Sequence, residues 1–342
     1  MNSLEEMLSV EGDAELSALF AKAYQIKLDN IGPLVSIRGL IEAGNVCAKD
    51  CFYCGIRKSN AKVERYALDE DEIVRLAEVA KSFGYASVVI QSGEVESESH
   101  TRFIERVVRR IAVMDMGITL SLGEQEEDVY RRWRDAGATR YLLRIETSNE
   151  ELYRRLHPAS HSWRRRVGCI RSLRKFDYQV GTGVMCGLPG QTIGDLARDI
   201  RFFADEDVDM IGMGPFIPHP DTPMAAPFDP EERLRLGLKM IAAARIALPK
   251  VNIAAATALQ ALAHDGRERG LKAGANVLMP NITEPGYRRQ YQLYAGKPCL
   301  DENASLCRNC LDRRIASIGE KILYGERGDS RRYFERCREK QS

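Results

Sequence analysis

The chain has 342 residues, 44% apolar and 29% charged, with a net charge of +1. That balance is ordinary for a globular protein and provides no global field to recruit nucleic acid or an anionic membrane. No stretch approaches the ~20 continuous apolar residues of a membrane span, and acids near the start stand where a secretion signal needs a basic region, so the expectation is a cytoplasmic protein with no membrane partner. In chain order, Leu4, Leu8, Leu16, Leu19, Phe20, Ala23 and Tyr24 predict a helix over 4–28. Strand candidates follow at 34–42, 87–91, 117–122, 139–145, 179–185, 209–213, 251–257 and 275–279. Helix candidates lie near 70–83, 100–115, 126–137, 149–156 with 163–176, 192–205, 230–247 and 265–273, several announced by caps such as Asp69 and Thr192. This alternation predicts an α/β fold, a (β/α)8 TIM-type barrel, with an open doubly wound sheet as the alternative. The domain reading is an N-terminal helical extension over 1–32, the barrel over 33–280 and an extension over 281–342, loop-like at first and a basic helix over about 311–338.

Directly after the first strand comes NVCAKDCFYCGIRKSN (45–60), with Cys47, Cys51 and Cys54 in C-x3-C-x2-C spacing. In a parallel barrel the loops after the strands form the catalytic face, which is where this trio falls. Thiolates select zinc, copper(I) or iron–sulfur clusters, and in a chain this long clustered cysteines point to metal or redox chemistry, with anaerobic or at least reducing surroundings if the metal is iron–sulfur. Structural zinc takes four protein ligands, often as separated C-x2-C pairs; a zinc knuckle or plain reduced thiols are the bland alternatives. A 4Fe–4S cube held by three cysteines has one iron without a protein ligand, and that open position can bind a substrate.

The spacing resembles that of the radical S-adenosylmethionine (SAM) superfamily. The resemblance implies a 4Fe–4S cluster on Cys47, Cys51 and Cys54, SAM chelated by the open iron, and reductive cleavage of SAM to a 5′-deoxyadenosyl radical. IQSGE (90–94) is similar to the superfamily's Gly-Gly-Glu segment, with Ser92 at its first glycine, and so assigns Gly93 and Glu94 to SAM. By the same resemblance Glu146 meets the SAM ammonium, Arg166 pairs bidentately with its carboxylate, Tyr53 lies against the adenine, and Ser121, Met185 and Pro215 complete the pocket. Taken alone, Glu146 and Arg166 read as an ordinary surface ion pair.

TLSLGE (119–124), RYLLRIET (140–147), GLPGQT (187–192), GPFIPHPDTP (214–223), GANVLMPN (274–281) and YQLYAGK (291–297) together resemble the HydE-type maturases of FeFe-hydrogenase over residues 33–312. This implies a small organometallic substrate of iron, carbon monoxide, cyanide and cysteine, attacked at sulfur by the adenosyl radical. It also implies a HydG-type maturase as its source, a HydF-type scaffold as its recipient, and an electron donor such as ferredoxin or flavodoxin. Gln91, Thr119, Met210, Thr257, Met279, Tyr291 and Tyr294 match cavity positions, although the methionines read equally well as barrel core. Arg38 and Arg140 fall on strands, where a buried arginine is costly without an anion, so both are expected to bind substrate. His219 shapes the pocket or is structural. Cys299, Cys307 and Cys310 match an accessory site, and their spacing fits zinc, 2Fe–2S or 4Fe–4S, with Cys337 a candidate fourth ligand. Cys169 and Cys186 read as buried small hydrophobes. Two departures make the site less polar: the family's His-Glu-Thr reads Ile145-Glu146-Thr147, and a paired threonine reads Ala256-Thr257. They leave open a HydE-like paralogue, or a PylB-like (methylornithine synthase type) radical SAM enzyme, acting on another small amino-acid-derived substrate. An iron–sulfur carrier without turnover is the non-catalytic alternative.

Overall fold

The computed structural model describes residues 3–302 and 304–340, the side chains of 304–307 excepted. The helix expected over 4–28 is two, Leu4–Ser9 and Asp13–Asn30, because the backbone is extended at Val10 and again at Gly12, which caps the second. The strands among the described residues are β1 Leu34–Ile37, β2 Gly39–Gly44, β3 Ser87–Ser92, β4 Gly117–Ser121, β5 Arg140–Leu142, β6 Gln179–Thr182, β7 Met185–Cys186, β8 Met210–Ile211, β9 Gly214–Pro215, β10 Asn252–Ile253, β11 Val277–Leu278 and β12 Lys321–Leu323. Candidate strands 34–42 and 179–185 each break in two. At the second break a Cβ on Gly183 would sit 2.0 Å from Gly212 O, so only glycine permits that approach.

Seven strands form one sheet in the order β10-β8-β6-β5-β4-β3-β2, with every neighbouring pair parallel. Helices Glu70–Ser82, Glu98–Ala112, Glu127–Ala136, Trp163–Lys175, Ile193–Asp205 and Pro230–Ala247 return the chain between strands. Asp69 with Glu72 and Thr192 with Asp195 close capping boxes at two of their starts. Their apolar stripes (Ile73, Leu76, Ile104, Val107, Ile111) pack with Val88, Ile90, Ile118 and Leu120 in one continuous core, each large side chain contributing ~1.5–3 kcal/mol by burial. The sheet also closes. Asn276 N donates to Ile253 O (2.9 Å) and Ala255 N to Val277 O (3.0 Å), joining β10 to β11, while Leu40 N donates to Pro280 O (2.8 Å) beside the β11–β1 pairing. With β1 and β2 as one interrupted strand, the ring β1/β2, β3, β4, β5, β6, β8, β10, β11 is the barrel rather than the open sheet.

The tail differs most from its reading. It holds helices Pro285–Gln290, Ala304–Ser317 and Arg331–Glu339, and β12 pairs with β1 within the stretch expected to be helical. Residues 327–330 then cross beneath the barrel. Gln179 Nε2 donates to Asp329 Oδ1 (2.6 Å), Ser330 N to Gln179 Oε1 (3.1 Å) and Asn252 Nδ2 to Gly328 O (3.0 Å). Gln179 and Asn252 are the first residues of β6 and β10, so this segment seals the N-terminal end, the barrel floor. No helix among the described residues is long and apolar enough to cross a membrane.

Candidate active site

The cysteine loop, between β2 and helix Glu70–Ser82, lies on the opposite rim and is held by backbone-directed polar bonds. Arg65 donates to the carbonyls of Asn45 (2.6 Å), Ile56 (2.8 Å) and Arg57 (2.6 Å). Asp50 accepts from both Arg57 Nε (2.8 Å) and Nη2 (2.6 Å) and from Ser59 N (3.0 Å). Glycine permits two close approaches. A Cβ on Gly93 would lie 2.2 Å from Val46 O, and one on Gly55 would lie 2.1 Å from Gln292 O and 2.6 Å from His219 Cδ2. His219 therefore packs on the residue after Cys54. Glu94 N donates to Cys47 Sγ at 3.3 Å. Burial pushes the Cys51 thiol up to about 12, raises Cys54 further, and raises Cys47 despite backbone N–H donors from Glu94 and Lys49. Thiols so desolvated become thiolates when a metal cation compensates the charge.

Beside the loop stands a largely buried charge network. Lys49 Nζ lies 2.9 Å from Glu94 Oε1, 3.3 Å from Glu96 and 3.4 Å from Glu124; these carboxylates hold its ammonium protonated against burial. Arg166, 7% exposed, donates through Nε to Glu124 Oε1 (2.6 Å) and through Nη1 to Arg144 O (2.9 Å), while its Nη2 is 3.7 Å from Glu94. Two guanidinium edges are thus committed, and the bidentate pairing expected for Arg166 is reduced to what Nη2 offers. Glu146 has φ +65°, a left-handed conformation that a non-glycine residue adopts under constraint and that recurs at functional sites. Its Oε2 pairs with Arg144 Nη2 at 2.9 Å.

An apolar wall adjoins these charges. Leu152, Leu156, Met185, Leu188 and Phe216 form a separate buried cluster with Tyr53 and Met224 against it. Met185 N bonds Glu146 O (3.1 Å), and β7 pairs with β9, placing Pro215 beside Cys186. Two histidines face the loop: His157 Nε2 is 3.3 Å from Tyr53 Oη, and His161 Nδ1 is 4.0 Å from Cys51 Sγ.

The Radical SAM superfamily pattern matches residues 41–203. The HydE subunit of FeFe-hydrogenase maturase from Thermotoga maritima is 44% identical over 318 residues, 93% of this chain and 90% of that protein. The chain belongs to the HydE family. A 3-methylornithine synthase from Methanosarcina acetivorans is 28% identical over 279 residues, 81% of this chain and 78% of the relative. The crystal structure of methylornithine synthase (PylB) superposes with TM-score 0.80 at 26% identity, covering 94% of this chain and 93% of that one.

Membership of the HydE family makes the protein a radical SAM enzyme and implies a 4Fe–4S cluster and SAM. The residues present fit both: three thiols in one loop, a backbone N–H aimed at Cys47, a glycine cradle at Gly93, and an apolar wall meeting a charged one. Gln91, Ser121, Glu146, Met185 and Pro215 all stand at the C-terminal ends of their strands or just beyond them, on the rim. Gln91 bonds the buried Tyr291, while Tyr294 lies near Glu42, Arg144 and Cys299. Thr257 opens helix Thr257–Leu262, and Ala256 before it packs on Gly214. Ile145 is fully buried in the apolar core.

Elsewhere the HydE-like reading needs correction. Arg140 does not wait for a substrate anion. It is fully buried at the floor, pairs with Asp329, and donates to Arg327 O (2.7 Å) and Ser87 Oγ (3.2 Å). Arg38 bonds Met210 Sδ (2.8 Å) and Gly328 O (3.3 Å). With Thr119, Met210 and Met279 it lines a chamber of about 10 Å³, room for roughly one water. Cys337 sits on helix Arg331–Glu339, tied to the floor through Arg336 and Asp209 (2.7 Å), whereas Cys299 faces Gln260 (3.9 Å) just beyond β10. Cys337 is therefore at the wrong end to join Cys299. The side chain of Cys307 lies outside the described residues. Cys169 and Cys186 are buried, 7% and 0% exposed. Sequence reasoning passed over Lys49, Glu124, Arg144, His157 and His161. Lys49, Glu124 and Arg144 lay inside quoted motifs, and a charge within such a segment was the available signal.

Proposed function

We propose that this protein is a hydrogenase maturase of the HydE type, acting on a small anionic iron complex carrying carbon monoxide, cyanide and cysteine. The supporting observation is 44% identity across nearly the whole of both chains, with the SAM-site candidates assembled on one rim. Cys47, Cys51 and Cys54 hold the 4Fe–4S cluster, which when bound supplies the electron that cleaves SAM to the adenosyl radical. Glu94, Glu146 and Arg166 Nη2 hold the amino-acid end of SAM, with Gly93 and Ser121 alongside. Tyr53, Met185 and Pro215 hold its adenine. Gln91, Thr257, Tyr291 and Tyr294 face the substrate, and the apolar wall keeps water from the radical. A HydG-type enzyme supplies the complex, a HydF-type scaffold takes the product, and a ferredoxin or flavodoxin delivers electrons. Cys299, Cys307 and Cys310 hold an accessory zinc or iron–sulfur group.

The test is an anaerobic maturation assay with this protein in place of HydE, following SAM cleavage in parallel. Hydrogenase activity well above the omission control, lost with Cys51→Ala, is the expected result. Deoxyadenosine without hydrogenase activation overturns the maturase reading and favours the second one, a methylornithine-synthase-type reaction, which the close superposition on PylB supports. No SAM cleavage by a cluster-loaded protein leaves the carrier.

A further inference from the structure

The segment Leu156–Ser162, between helices Glu150–Leu156 and Trp163–Lys175, reaches the cysteine loop at three points: Phe52 N donates to Leu156 O (2.9 Å), and the side chains of His157 and His161 approach Tyr53 and Cys51. His157 Nδ1 is 2.8 Å from Tyr153 O, and a carbonyl only accepts, so the proton is on Nδ1. Nε2 then carries the lone pair and accepts from Tyr53 Oη at 3.3 Å. His157 is 2% exposed and stacked on Tyr153 (3.9 Å between centroids, 26° between planes), which leaves its ring no freedom. His161 leans on that ring at 5.4 Å and 35°, and a turn bond from its own N to Pro158 O (2.9 Å) sets its backbone. Its Nδ1 then points to Cys51 Sγ at 4.0 Å, within reach of an N–H···S bond.

We propose that His161 donates an N–H···S hydrogen bond to Cys51 and thereby raises the reduction potential of the cluster, with His157 as the post that aims it. The proposal rests on the reading that Cys47, Cys51 and Cys54 hold a 4Fe–4S cluster. Hydrogen bonds to cluster sulfurs are among the determinants of iron–sulfur potentials. The one-electron reduced cluster carries one more negative charge, spread partly onto the thiolates, so a donor dipole stabilises it more than the oxidised form. Loss of the donor therefore makes the cluster harder to reduce. The donor atoms of Cys51, His157 and His161 also lie within 4.8 Å of one another, which defines the rival arrangement, His161 as a metal ligand in its own right. As a ligand it would close the coordination position that SAM needs.

The experiment is a dithionite-poised redox titration of the reconstituted full chain without SAM, read by the EPR signal of the reduced cluster. His161→Phe retains a ring and removes the N–H; His161→Gln retains an N–H. His161→Phe is expected to lower the reduced-to-oxidised ratio about fivefold at a fixed potential, the size of one ordinary hydrogen bond, and His161→Gln to recover much of it. A fully loaded His161→Phe titrating with the wild type overturns the proposal, as does a melting temperature that falls while the potential stays. Pulsed EPR showing a nitrogen bound directly to iron in the wild type, lost in His161→Phe, also overturns it, in favour of ligation. If the wild type assembles no 4Fe–4S signal, the cluster reading itself has failed, an outcome distinct from the others. If His161→Phe loads poorly, His161→Ala against His161→Gln makes the same comparison.

Discussion

At the barrel floor, Arg140 is fully buried and meets Asp329, the carbonyl of Arg327 and Ser87 Oγ, all from its own chain, with only Nε left unbonded. At the rim, Arg166 is nearly as buried, and Glu124 and the Arg144 carbonyl fix it along two edges while the ion pair of Nη2 with Glu94 is 3.7 Å long. The two arginines look alike in sequence and in burial. They differ in whether the fold itself completes their bonding. Desolvating a guanidinium costs several kcal/mol however it is used, so burial alone does not separate structure from function; an edge left without a close partner does.

The sharpest way to break this comparison is Asp329→Ala. Asp329 is 22% exposed but Arg140 is fully buried, so removing the acid leaves an uncompensated buried charge, and the expected loss of stability is about 3 kcal/mol, measured by urea unfolding of the cluster-free protein. SAM cleavage per folded, loaded molecule should be unchanged. A drop in the cleavage rate with stability intact would return Arg140 to the substrate side.

Two rim substitutions sharpen the other half. Gly93→Ala puts a methyl 2.2 Å from Val46 O and 2.8 Å from Cys47 Cβ, and backbone atoms there cannot yield cheaply. The expected cost is about 1–3 kcal/mol, with cluster content per chain falling well below that of wild type; normal iron and sulfide content would show that the loop tolerates the shift. Arg166→Lys retains the charge but loses the planar fork. SAM should then bind about tenfold more weakly, ~1.4 kcal/mol, and the unfolding midpoint of the cluster-free chain should fall as well, because lysine cannot make both the Glu124 and the Arg144 carbonyl bonds. An unchanged KM for SAM would place Arg166 in the same structural class as Arg140.

The barrel was legible because its signals are repetitive: apolar strands, capped amphipathic helices and their alternation each recur around the ring. The cysteine loop was legible because three soft ligands at fixed spacing have few other uses. What escaped notice was what depends on distant parts of the chain meeting. Asp329 lies 189 positions from Arg140, and nothing local in RGDS marks it as the anion of a strand residue. β12 is only Lys-Ile-Leu, too short for any period to declare itself, and its pairing with β1 is set by tertiary contact. His161 carries no local signal, since its meaning comes from a turn that aims it at Cys51.

Asp50 offers the mildest prediction, and one that tests the rim loop without touching the cluster ligands. Partial burial works against its charge, but the bonds from Arg57 and Ser59 outweigh it and hold the carboxyl at about 2, from an ordinary value of 3.8. A carboxylate depressed in the folded state contributes stability that is fully present above the unfolded value and is lost as pH falls through the folded one. The window is therefore pH 4 down to 2. The pair is partly exposed, with side chains 13% and 26% accessible, so its worth is under ~1 kcal/mol. In urea unfolding of the cluster-free chain, wild type should exceed Asp50→Asn by that amount at pH 5, and the gap should close toward pH 2. Asp329 is likewise held down by Arg140, though burial opposes it more strongly, so Asp329→Asn should show a larger difference that closes in the same direction. Equal differences from the two variants would mean that the floor pair is no better shielded from water than an ion pair in the rim loop, and the contrast between the two ends would fail.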